Sequence, residues 1–226
     1  MPLPTRRLGR TEIQVSFPAL GCGSVMGASN SDAEAVEVIR RAIGHGVSYL
    51  DTAPLYGEGE SERLTGLALS GGFREKVCLA TKCGDPMESH VGSASPYSRQ
   101  GLLNSVQHSL KLLNTRTIDV LLIHDPFVDE LEQAMAPGGL MEGMRELRQQ
   151  GIVKHLGMAV RENEPLLQFM DQPDCDVIQI VDDYCLCRRY AEVNGVLAKA
   201  AALDIGVVHC SAHPFNAIYM YCDPCC

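Results

Sequence analysis

The chain has 226 residues, 46% hydrophobic and 21% charged, which suits one globular domain with a sizeable core and excludes a disordered tail or a fibre. With 19 Lys and Arg against 28 Asp and Glu, the formal charge of -9 disfavours nucleic acid or an anionic membrane and points to a small molecule or another protein as partner. No apolar run reaches the roughly 18 to 20 residues of a membrane span, and Met1 to Ser16 lacks the apolar centre of a signal peptide, so the chain reads as cytoplasmic.

Two short segments at 4–8 and 13–16, either side of Gly9-Arg10, predict a β-hairpin. A strand at 17–21 follows, and then Gly21-Cys-Gly23-Ser-Val-Met-Gly27, which sits where a dinucleotide-binding turn would. Its spacing is G-x-G-x-x-x-G, and Asp51 comes later than the roughly 20 residues at which a ribose-binding acid is expected, so the motif is weak. Asp32 can cap a helix carrying Val36, Ile39 and Ile43 on one side, before strands at 47–51 and 77–82. Ser98 can cap a second helix, with Leu102, Leu103, Val106, Leu110 and Leu113 inward, leading to a strand at 118–124. A helix with Leu140, Met144 and Leu147 ends at Gly151, a left-handed terminator, and strands at 153–160, 176–181 and 205–210 complete seven. This alternation implies parallel strands with right-handed crossovers, either an open doubly wound sheet or a (β/α)8 TIM barrel.

The polar residues favour the barrel. Asp51, Lys82 and His124 each end a predicted strand, and in a parallel barrel all such ends open onto one face. Tyr56, five residues after Asp51, can fold over the same face. Alone, each has a plain structural reading: a helix cap, a loop aromatic, a solvated strand end, a satisfied imidazole. Together they suit proton transfer at a carbonyl oxygen. An ammonium at Lys82 is expected to lower the Tyr56 pKa, Asp51 to hold Lys82 charged, and His124 to orient the carbonyl or hydroxyl.

Leu50-Asp51-Thr-Ala-Pro-Leu-Tyr56-Gly, Ala80-Thr-Lys82 and Leu122-Ile-His124-Asp-Pro126 resemble the motifs of the aldo-keto reductase family in order and separation, and the resemblance runs from about Leu3 to about Phe215. It implies a (β/α)8 barrel that uses NAD or NADP, with Tyr56 as general acid/base, Asp51 and Lys82 tuning it, and His124 positioning a sugar or aldehyde substrate. Arg6-Arg7-Leu-Gly-Arg10-Thr11 and Leu156-Gly-Met-Ala-Val-Arg161-Glu resemble most the aldose (L-galactose, D-arabinose, L-fucose) and pyridoxal dehydrogenase branch, which implies oxidation of a C1 hemiacetal to a lactone. Cofactor contacts are then expected at Gly21, Asp51, Gln179, Ser211 and Pro214. Ala159 and Val160 stand where the family commonly has Ser and Asn, and Cys210 where it has a stacking aromatic.

Only seven strands precede Phe215, and the resemblance stops there. The expected organisation is an incomplete barrel of about seven β/α units over 1–215, without the eighth strand and the C-terminal helices, followed by a non-family tail over 216–226. The open edges of the first and last strands would then offer a route to self-association, and the alternative reading is a silent barrel acting through protein association. Of the ten cysteines, seven lie in strand-like stretches as expected free thiols, and Cys222-Asp-Pro-Cys225 with Cys226 lacks a second ligand pair, so no metal site is expected.

Overall fold

The computed structural model describes residues 2–85, 94–185 and 188–211. The hairpin is β1 (Thr5–Arg7) against β2 (Gln14–Ser16), antiparallel, with Arg6 opposite Val15. Seven parallel strands follow among the described residues: β3 (Leu20–Gly21), β4 (Tyr49–Asp51), β5 (Cys78–Cys83), β6 (Ile118–His124), β7 (Val153–Val160), β8 (Val177–Val181) and β9 (Gly206–Cys210). Each pairs with its successor, in the order β3-β4-β5-β6-β7-β8-β9. An order without reversal is that of a barrel, because a doubly wound sheet reverses direction at its switch point. Around the strands lie α1 (Gly23–Ala28), α2 (Asp32–Gly44), α3 (Glu60–Leu69), α4 (Arg99–Leu112), α5 (Val128–Met135), α6 (Leu140–Gln149), α7 (Asn163–Phe169), α8 (Tyr190–Val193) and α9 (Val196–Ala202). The barrel is nearly closed: β3 and β9 are its two edges and do not pair with each other among the described residues.

The alternation of side chains along a strand decides what faces the barrel interior. Tyr49, Cys78, Ala80, Val120, Leu122, Ala159 and Val177 pack together inside, while Leu50, Leu79, Leu121, Ile123 and Ile178 pack outward in two clusters with the helices. Counting by twos from the interior residues, Asp51, Lys82, His124, Gln179 and Cys210 form the inward layer at the carboxyl ends. Leu8 and Val15 of the hairpin join the interior cluster and plug the opposite end. Gly9 is there for a close approach: its φ is +51°, and a Cβ would lie 2.1 Å from the Gly206 nitrogen. Arg7 secures the plug with two bonds to Asp204, at 2.8 and 2.7 Å.

Three expectations needed adjustment. The first parallel strand is Leu20–Gly21 rather than 17–21, since Pro18 has no N–H for the ladder. The second, β4, starts at Tyr49 rather than 47 because Val47 gives its N–H to the Ala42 carbonyl at the end of α2. The α2 cap is Ser31, whose hydroxyl accepts from the Glu34 N–H at 3.2 Å, whereas Asp32 is helical and pairs with Arg63. Ser98 does cap α4, accepting from the Gly101 N–H at 3.1 Å, and Gly151 follows α6 at φ +72°.

Candidate active site

Lys82 is the centre of the inward layer. It is 1% exposed, and its Nζ lies 2.8 Å from both Asp51 carboxylate oxygens and donates to the Thr52 carbonyl at 2.8 Å. Burial opposes the ammonium, but the Asp51 charge and Tyr56 outweigh it, so the Lys82 pKa stands above its ordinary value. The same Nζ is 4.8 Å from the Tyr56 ring centroid, and the Tyr56 ring meets His124 edge-on at 5.8 Å and 81°. All four expected residues therefore meet in one cluster at the ends of β4, β5 and β6, with Asp51, Lys82 and His124 buried and Tyr56 half-buried over them.

The loop that carries Tyr56 depends on a glycine. A Cβ on Gly23 would stand 2.8 Å from Tyr56 Cδ2, so the ring rests on the bare backbone at the start of α1. The G-x-G-x-x-x-G segment thus owes Gly23 to packing against a side chain. Gly21 is exposed at the end of β3, in register with Asp51, and nothing lies within 4 Å of a Cβ built there.

The electrostatics overturn one expectation. Burial raises the Tyr56 pKa, Lys82 pulls it down, Asp51 pushes it up, and the net shift is upward. The ammonium does not lower it overall because burial of the phenol outweighs its pull and Asp51 offsets part of it. Tyr56 is therefore a phenol at neutral pH. His124 is pushed down to about 3, first by burial and then by the Lys82 and Arg161 charges, so it is a neutral imidazole. Arg161, just beyond β7, is held by Asp125, which binds both its guanidinium and its backbone N–H.

Gln179 is 1% exposed, and its Oε1 has no protein partner among the described residues. Ala159 lies between it and His124 in the sheet, in register with both. Ser211 is exposed just past β9 with φ +58°, and Pro214 lies outside the described residues. Cys210 is half-buried where the family commonly has an aromatic, and burial pushes its thiol up to about 12. Cys22, Cys78, Cys83 and Cys175 are buried and Cys185 is half-buried, none of them in a disulfide, whereas Cys187, Cys222, Cys225 and Cys226 lie outside the described residues. Among the described residues no group of three His, Cys, Asp or Glu could hold a metal ion, and no helix is long and apolar enough to cross a membrane.

Two residues went unnoticed in the sequence. Glu62 on α3 is fully buried behind β5 and accepts from the Thr81 hydroxyl at 2.6 Å, and burial pushes its carboxyl up to about 7. Its only signal was an acid on the inward face of a helix. Asp85, three residues after Lys82, brings a carboxylate oxygen to 3.4 Å from His124 Nδ1. An acid in the loop just past a strand-end lysine was the available cue.

A plugged parallel β/α barrel with an ionisable cluster at its strand ends is the architecture of a barrel enzyme, whose active sites lie on that face. Residues 19–214 match the model of the aldo/keto reductase family, and the chain belongs to that family. It is 28% identical to D-threo-aldose 1-dehydrogenase of a Pseudomonas species, over 90% of this chain and 67% of that protein. An aldo-keto reductase from Bacillus halodurans, in its holo form, superposes with TM-score 0.76 at 25% identity over 92% of this chain and 65% of that one. An aldo/keto reductase from Klebsiella pneumoniae, in complex with NADP and acetate, does so with TM-score 0.71 at 25% identity over 91% and 66%. The chain spans 44 to 67% of the length of the first curated relatives it matches.

Proposed function

We propose that the chain is a cytoplasmic oxidoreductase that moves hydride between NAD or NADP and a small sugar or aldehyde, oxidising an aldose C1 hemiacetal to the lactone or acting on a related alcohol. The observation that carries this reading is the contact of Tyr56 with both Lys82 and His124 at the strand ends. Likeness to an aldose dehydrogenase supports the substrate class, and likeness to an NADP-bound enzyme supports the cofactor.

The interior residues fit a nicotinamide. An amide N–H offered to the orphan Gln179 Oε1 would remove a cost of about 1–3 kcal/mol, and Gly21, Asp51, Ser211 and Pro214 are the further residues assigned to hold the cofactor. When bound, the nicotinamide supplies or takes up the hydride. The protein's share is the proton. Tyr56, protonated at neutral pH, donates to the oxygen that gains charge during reduction; for oxidation it first gives its own proton to solvent, and the phenolate then takes the proton of the reacting hydroxyl. Lys82 stabilises the transient phenolate, Asp51 keeps Lys82 charged, and neutral His124 orients the reacting oxygen by a hydrogen bond rather than by charge.

Tyr56→Phe tests the assignment: turnover of aldoses should fall by about 10²–10⁴-fold with cofactor affinity unchanged, and equal activity would refute the role. Absence of saturable nicotinamide fluorescence quenching with either cofactor would remove the enzyme reading. That β3 and β9 are the two edges of the sheet among the described residues favours a second one, a silent barrel that self-associates. Sedimentation velocity showing dimers or larger species, without cofactor binding, would support it.

A further inference from the structure

The first turn of α3 grips the two strands that carry the ion pair. Ser61 is 1% exposed, and its hydroxyl is hydrogen-bonded at 2.8 Å to that of Thr52, the residue after Asp51. Glu62 comes next and accepts from Thr81, the residue before Lys82. We propose that Ser61 is a positioning residue: its bond to Thr52 closes the base of the loop that carries Tyr56 and sets the height of the phenol ring above the Lys82 ammonium.

Side chains alternate along a strand, so Thr52 and Thr81 face the helix because Asp51 and Lys82 face the interior. Thr52 is joined to both sides of the contact. Its carbonyl accepts from Lys82 Nζ at 2.8 Å, and its side chain holds Ser61, whose N–H donates to the Tyr56 carbonyl at 3.1 Å. A chain of bonds thus runs from the ammonium through Thr52 and Ser61 to the backbone of Tyr56. Backbone bonds within the loop, such as Tyr56 to the Ala53 carbonyl at 3.2 Å and Glu60 to the Gly57 carbonyl at 3.1 Å, join it to itself and would move with it. Thr52 is anchored in the sheet, since its N–H donates to the Ala80 carbonyl at 3.0 Å. The hydroxyl pair therefore ties the loop to a fixed point.

Stability alone does not call for two hydroxyls here. Leu50, Leu64, Ala68 and Leu79 pack together between α3 and the strands, and replacing both partners of a buried hydrogen bond with apolar groups of the same shape is nearly neutral. What an apolar pair lacks is direction. A hydrogen bond weakens steeply away from its axis, so it holds a distance and an angle that two methyl groups leave free.

The test uses the whole chain with ¹⁵N-labelled lysine, at neutral pH and without cofactor. The Lys82 ammonium signal is assigned by its loss when Asp51→Asn and Lys82→Met are combined. Its Nζ lies over the Tyr56 ring at 4.8 Å from the centroid, so the ring current should place the ammonium protons upfield of their position in Tyr56→Leu. Thr52→Val with Ser61→Ala removes both hydroxyls and strands neither. In that pair the melting temperature should stay near wild type while the ammonium signal moves toward that of Tyr56→Leu. Thr52→Ser keeps the hydroxyl and should keep the wild-type shift. An unmoved signal in the pair, or an equal displacement in Thr52→Ser, would overturn the proposal. A second readout rests on the oxidoreductase reading: with NAD or NADP and an aldose, kcat of the pair should fall about 10–10²-fold with KM unchanged. Wild-type kcat in the pair would overturn the positioning role. Failure of the oxidoreductase reading would show elsewhere, as no quenching of nicotinamide fluorescence or as full turnover in Tyr56→Phe, with the ammonium shift intact.

Discussion

Lys82 keeps its charge in a dry interior only because Asp51 lies at hydrogen-bond distance. Removing the amine strands the carboxylate, at a cost of about 3–5 kcal/mol, whereas removing both partners leaves no buried charge. Lys82→Met should therefore lower the melting temperature sharply, and Asp51→Asn with Lys82→Met should recover part of the loss, as a denaturant series would show. Both should lack turnover. Glu62 behaves differently, because its burial outweighs the Thr81 and Ser109 hydroxyls and the more remote Lys82 charge. Its carboxyl pKa is raised to about 7, so the folded state binds a proton that the unfolded chain releases near 4.5, and stability falls as pH rises between those values. Glu62→Gln keeps an acceptor for Thr81 and should raise stability at about pH 8 by on the order of 1–3 kcal/mol, with little change below about pH 4.5.

At the scale of elements, the hairpin and the start of α1 do work that their own sequences hardly suggest. Leu8 fills the bottom of the barrel, so Leu8→Ala should cost about 2–5 kcal/mol in chemical denaturation and leave the site at the far end unaltered. Gly23→Ala should do the converse. Its new methyl would displace the Tyr56 ring by a few tenths of an ångström or more, which should lower kcat well beyond any change in melting temperature. A Gly23→Ala enzyme with wild-type kcat would show that the Tyr56 ring tolerates displacement. Helix ends were readable where a hydroxyl and an N–H three residues on suffice, as at Ser98. They were misread by one residue at α2, where Ser31 and Asp32 are both good caps and only the backbone turn chooses between them.

For the whole molecule, the two buried titrating groups act in opposition. His124 is depressed from 6.5 to about 3, so it costs stability as pH falls across that range, while Glu62 costs stability as pH rises from 4.5 to about 7. Over the shared range of 4.5 to 6.5 the two slopes cancel, and stability should be flat with respect to this pair. Glu62→Gln removes one side, so the variant should gain stability between about pH 4.5 and 6.5 relative to its own acid limit; a flat profile in the variant would refute the His124 contribution. The barrel face on which these groups lie was legible because each of three apolar strands ends on an ionisable residue, and parallel strands share their ends.

The amino-acid sequence by itself determined the alternation of strands and helices, the hairpin before them, and the side of the barrel to which Asp51, Tyr56, Lys82 and His124 belong. Those features follow from period, spacing and turn chemistry, which are properties of neighbouring residues. Tertiary structure alone decided that Tyr56 stays a phenol, that Gly23 supports its ring, that burial of Glu62 outweighs the pull of Lys82 on it, and that Asp85 lies near His124. Each of these depends on desolvation and through-space distance between segments apart in the chain, which no local pattern records.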